Sequence, residues 1–340
     1  MMSDSSRRIV AAVTAAALLA GCVSTRQARI GGNDGMDSCR GQLVALDSTG
    51  DFFAEDILKG AAIGAVGGAA LGAAIGGNWR GALIGAAAGA ATGAAGGYLA
   101  ALQSRSRDQA QLNASLASDL SRENAQLDRT QAAFNQLMDC RFNRAQQVRE
   151  AFRLNRLPKD VAEAQMAALR ARTGRDIELA RSVDQRIGAR GAEFDTATET
   201  VSPGVKTATL AAKAQAPIVA AQPRAPVVLR LRPDPGAPEI GRLSARQAVQ
   251  LRPAAPGYAQ VQTPSGQQVG YADTGAFTTA GARGAAVPVR LAAVPSGLAV
   301  SGASDDVRSL AASNIARREN FTDTVATAER AAGGGFELAS

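Results

Sequence analysis

The chain has 340 residues, and its composition argues against one large packed domain. Aromatic residues make up only 4% of it, 36 residues are glycine, and alanine supplies much of the 46% apolar share, so each buried position removes little surface from water. It carries 37 basic and 30 acidic residues, formally +7, with no histidine, which excludes imidazole-based nucleophilic triads, imidazole metal sites and the commonest general base. The basic residues form no dense block, so nucleic acid is not expected as a partner. An elongated, modular, non-enzymatic protein is expected, mainly α with a small all-β module. No catalytic residue, cofactor or metal ion is expected.

At the N-terminus Arg7 and Arg8 precede an apolar run from Ile9 to Ala20, interrupted only by Thr14. Such a run fits a secretory signal and is too short to span a bilayer. It ends in Leu19-Ala20-Gly21-Cys22. These residues resemble the lipobox of bacterial lipoproteins. The resemblance implies that residues 1–21 are removed as a signal peptide and that Cys22 receives lipid, palmitate included. Val23, in place of an aspartate, implies the outer membrane on the same resemblance. Three acyl chains exceed the two signals that stable anchoring needs. Residues 22–58 are read as a tether. Beyond Cys22 the only thiols are Cys39 and Cys140, read as one disulfide in an oxidising periplasm. Two free or intermolecularly paired thiols are the alternative. A zinc site would be half empty with two thiolates and no histidine.

Residues 59–102 hold the most informative pattern. Gly60, Gly64, Gly68, Gly72 and Gly76 recur every fourth position, and Gly77, Gly81, Gly85, Gly89, Gly93 and Gly97 repeat the spacing. Gly76-Gly77-Asn78-Trp79-Arg80 between the two series reads as a turn. Positions four apart share a helix face, so each arm presents a glycine stripe along which backbones can approach closely. In water each helical glycine costs about 1 kcal/mol, so packing or lipid must recover that loss. A flexible linker has no reason to keep a period of four, and a phosphate-binding loop needs a preceding strand and a following lysine that are absent here. The segment resembles the glycine-zipper hairpin of small outer-membrane lipoproteins of the 17-kDa surface-antigen type. Each arm is only marginally long enough to span a bilayer, so the hairpin either spans the membrane or packs within a homo-oligomer.

Residues 103–200 are polar and alanine-rich. Leu120, Leu127 and Phe134 fall one heptad apart, with Leu116, Leu137, Val148 and Phe152 extending the stripe, which predicts an amphipathic helix of coiled-coil type. Leu157-Pro158 breaks it. Val161, Leu169, Ile177, Ala180 and Ile187 predict a second helix ending near Gly188–Gly191, the two forming a long antiparallel hairpin. The mixed charges along it read as a solvated face, with anionic lipid as a further contact. Residues 201–225, with Pro203, Pro217 and Pro223, are read as a linker.

Residues 226–280 change character. Short apolar runs at Val227–Leu231, Ile240–Leu243, Ala248–Leu251, Tyr258–Val261 and Val269–Ala272 alternate with turn residues such as Asp234-Pro235-Gly236 and Thr263-Pro264-Ser265-Gly266. Leu231-Arg232, Gly241-Arg242-Leu243, Tyr258-Ala259-Gln260-Val261 and Gly270-Tyr271-Ala272 resemble the motifs of a bacterial SH3-like β-barrel, with tyrosines for the family's two tryptophans. The resemblance implies a ligand face around Tyr258 and Tyr271 that binds peptidoglycan or a peptide; both tyrosines completing a small core is the alternative. Residues 281–302 are read as a second linker. Residues 303–332, opening on Ser304-Asp305-Asp306, predict a final helix docked on the earlier hairpin.

The expected function is that of a lipid-anchored envelope structural protein facing the periplasm and linking the outer membrane to the cell wall or to an envelope assembly. The alternative is an accessory subunit of a secretion or envelope complex whose SH3-like module binds one protein partner. An enzyme is the weakest class, since no constellation of residues supports it.

Overall fold

A computed structural model describes residues 26–53, 98–103, 106–280, 286–288 and 303–338. Helices dominate: α1 (Arg26–Ile30), α2 (40–53), α3 (98–103), α4 (Gln109–Arg153), α5 (Lys159–Val201), α6 (Val205–Ala214) and α7 (Ala303–Gly334). The strands are β1 (Val219–Pro223), β2 (Val227–Arg230), β3 (Glu239–Leu243), β4 (Val249–Ala255), β5 (Tyr258–Gln262), β6 (Gln268–Asp273), β7 (Phe277–Ala280) and β8 (Ala286–Pro288).

The long helix α4 contains neither glycine nor proline, and Asp108 caps its start by accepting from Gln111 N at 2.8 Å. It ends where Asn155 turns left-handed, φ 54°, and α5 begins just after Pro158. The two run antiparallel, as Arg141 facing Asp176 and Arg190 facing Glu123 show. The last helix, α7, completes a three-helix bundle alongside them. It runs parallel to α4, with Asn314 against Asn124 and Phe321 5.8 Å from Phe134, and antiparallel to α5, where Thr322 donates to Asp184 at 2.8 Å. The predicted heptad residues Leu116, Leu120, Leu127, Phe134 and Leu137 are all buried. The tether is not extended chain throughout: α2 lays Leu43, Leu46 and Phe53 into the same core.

All strand pairings are antiparallel, in the order β3-β2-β6-β5-β4-β1-β7-β8. One face of the sheet packs Leu229, Leu243, Val249, Leu251, Val261, Ala272 and Phe277 into a second core. Leu231 and Ile240 join it to the bundle, with Arg232 paired to Asp139 on α4.

Several expectations change. The small all-β module is an open sheet and not a closed SH3-like barrel, because β1 sits between β4 and β7 and no pairing joins β3 to β8 among the described residues. Residues 201–225 are not a linker but hold α6 and β1, whose backbone groups are satisfied by β4 and β7. Part of the expected second linker forms β8, paired with β7. The second long helix passes Gly188 and Gly191 and continues to Val201. At Gly191 a Cβ would lie 2.7 Å from Arg318 Cδ, so the absent side chain admits a crossing arginine from α7.

Candidate functional site at the base of the zipper segment

The described chain stops at Phe53 on α2 and resumes at Tyr98 on α3. Both ends meet on one patch of α5. The Arg190 guanidinium lies 5.0 Å from the Phe52 ring and 5.4 Å from the Phe194 ring, and Phe194 lies 4.8 Å from Tyr98. Arg190 is held in place by a 2.7 Å hydrogen bond from Nε to Glu123 on α4, so a cation between two aromatic faces is fixed by a buried carboxylate. Tyr98 donates its hydroxyl to Asp119 at 2.8 Å. Burial, then the Asp119 charge, raises the Tyr98 hydroxyl well above its ordinary pKa, so it stays a donor at any physiological pH. Leu99 and Leu102 complete the join against Leu116, Leu120 and Val307.

A second clamp holds the far end of α2. Cys39 and Cys140 are bonded, with Cα atoms 5.9 Å apart. Beside them Arg141 donates from Nε to Asp176 at 2.6 Å and from both Nη atoms to Asp37 at 2.5 and 2.9 Å. Asp37 in turn accepts from Cys39 N at 3.0 Å. Burial pushes Asp37 up, but the Arg141 hydrogen bonds and the Cys39 N–H outweigh it and hold the carboxyl below its ordinary range. Asp176 is more deeply enclosed, and burial leaves its pKa raised despite Arg141. These groups fasten one element to another; nothing in the arrangement offers an activated nucleophile.

Cys22 and the glycines Gly60, Gly64, Gly68, Gly72, Gly76, Gly81, Gly85, Gly89, Gly93 and Gly97 lie outside the described residues. Tyr258 and Tyr271 share a face of the sheet, as the pairings of Gln260 with Tyr271 and of Tyr258 with Asp273 require. That face is not an open ligand surface at Tyr271, which is 8% exposed and turned toward α7. Sequence reasoning missed Arg190, Phe52, Tyr98 and the Asp37–Arg141–Asp176 chain. Phe52 and Tyr98 had one legible signal: in a chain so poor in aromatics, Phe52, Phe53 and Tyr98 bracket the glycine series.

Residues 59–109 match a known family, the glycine zipper 2TM domain. The match takes in both glycine series, α3 and the first residue of α4. Comparison with curated proteins and with solved structures found no match. No described helix is long and apolar enough to cross a membrane.

Proposed function

We propose that this chain is a lipid-anchored structural protein of the bacterial envelope. Acylated Cys22 and the zipper segment hold it in the outer membrane. The bundle and sheet face the periplasm and link the membrane to the cell wall or to an envelope assembly. The observation that carries this reading is the join of Phe52, Arg190, Phe194 and Tyr98 at the two ends of the matched segment. A two-armed membrane hairpin needs both arms to start and finish side by side, and this join supplies that geometry. The disulfide and the Arg141 clamp keep the tether from peeling away from the body. For the sheet, an SH3-like module opened by the inserted strand β1 is supported by the meander β4–β5–β6.

The test is cell fractionation with metabolic palmitate labelling. The natural chain should carry label and sediment with outer membranes and with purified cell-wall sacculi. The Cys22→Ser variant should accumulate as unlabelled precursor. Label retained on the serine variant, or recovery of the natural chain in the inner membrane, would overturn the assignment.

A further inference from the structure

Beyond α7 the chain folds back onto the bundle as a short strap. The helix closes on Gly333 and Gly334, both exposed, with open space where a Cβ would stand. Gly335 then turns the chain inward: a Cβ there would lie 2.6 Å from Ala331 O and 2.9 Å from Phe142 Cε1, so a side chain is excluded. Phe336 is 2% exposed and stacks on Phe142 of α4, with ring centroids 5.2 Å apart and planes at 27°. Leu338 packs against the same core, and Glu337 is exposed. Three successive main-chain carbonyls are held by arginine side chains of the two long helices. Arg149 of α4 donates to Gly335 O and, at 3.0 Å, to Glu337 O; Arg170 of α5 donates to Phe336 O at 3.2 Å. The seat therefore reads one aromatic side chain and a backbone whose sequence it barely senses. Peptide-binding sites divide the work in the same way, with main-chain hydrogen bonds for affinity and one pocket for specificity.

We propose that this seat between α4 and α5 is a peptide-binding cleft through which two copies of the chain exchange tails, each Phe336 lying on Phe142 of the other copy. A second copy carries the very segment that the seat fits. The link that has to move is Gly333–Gly334, which no side chain packs against and which glycine makes the weakest part of α7. Exchange through identical seats closes a two-fold dimer and keeps the contacts of the strap. With its own tail at home, each copy keeps the cleft closed to other peptides. The inference does not depend on how the chain is anchored.

The experiment titrates the full-length protein in detergent with a fluorescent peptide of residues 333–338, capped at both ends, and reads anisotropy. Phe336→Ala vacates the cleft by removing the anchor, and Gly335→Val vacates it through the clash with Ala331 and Phe142. Both variants should bind the peptide about tenfold or more tightly than the natural chain, whose own tail competes. A peptide with alanine in place of its phenylalanine should bind about tenfold or more weakly, and adding Arg149→Gln to either variant should weaken binding again. Exchange is read by mixing an isotope-labelled natural chain with an unlabelled one that has the photoreactive benzoylphenylalanine in place of Leu338. After illumination, mass spectrometry should find unlabelled tails joined to labelled peptides of α4 or α5. Crosslinks confined to unlabelled chains would overturn exchange between copies. No binding by the vacated variants at about 1 mM peptide, or equal binding of the alanine peptide, would overturn the cleft itself. The two variants empty the seat by different routes, so one that fails to fold leaves the other to decide.

Discussion

Replacing Arg141 by methionine tests how the tether is held. The side chain is 1% exposed and bridges Asp37, 12% exposed, to Asp176, 3% exposed. Methionine keeps most of the aliphatic volume and removes the charge. Asp37 can then turn to water, while Asp176 stays enclosed, so the cost is that of one uncompensated buried carboxylate, about 3–5 kcal/mol. That cost should depend on pH. Asp176 already sits above its ordinary range through burial, and losing Arg141 pushes it further up. A carboxyl raised in the folded state binds protons there that the unfolded chain has released. The variant should therefore regain stability as pH falls from 7 toward 4, by up to about 1.4 kcal/mol per unit. Adding Asp176→Leu and Asp37→Asn should recover most of the loss, because a buried ion pair replaced by apolar side chains is often nearly neutral. Urea unfolding followed by circular dichroism, with the disulfide intact, measures all three. A loss below about 1 kcal/mol for Arg141→Met, or one independent of pH, would show that the pair is solvated and the reasoning wrong.

Replacing Cys39 and Cys140 by serine together should cost up to about 4.7 kcal/mol in urea unfolding, the chain-entropy limit for their separation of 101 residues; an unchanged midpoint argues against the bond. Gly191→Ala should destabilise, since Arg318 must leave Asp195 to make room, whereas in an Arg318→Ala background it should stabilise by up to about 1 kcal/mol. Thermal melts of the natural chain and the three variants decide between these signs. For the zipper, Gly68→Leu with Gly85→Leu should abolish membrane retention of a Cys22→Ser protein, while the two alanine changes should not, because leucine forces backbones apart and alanine adds one methyl. Equal behaviour of the leucine and alanine pairs would show that the period of four has no packing role.

Local patterns in this sequence determined local structure. The heptad of Leu120, Leu127 and Phe134 marked a buried helical stripe, Pro158 marked the break between α4 and α5, and Gly266, at φ 84°, marked the β5–β6 turn, because spacing and backbone freedom act within a few residues. The glycine series was legible for the same reason, as a strict period kept through two consecutive series. What the sequence could not show depended on partners far along the chain. Arg141 and Arg190 read as two of 37 basic residues until helix packing enclosed them with Asp37, Asp176 and Glu123. Gly191 read as a helix end, yet the helix continues because Arg318 from α7 fills the space beside it. Val219–Pro223 has no strand pattern of its own and becomes one where β4 and β7 supply its hydrogen bonds. That insertion also leaves the sheet open, a matter of which edges meet, decided by tertiary contacts and written in no single segment.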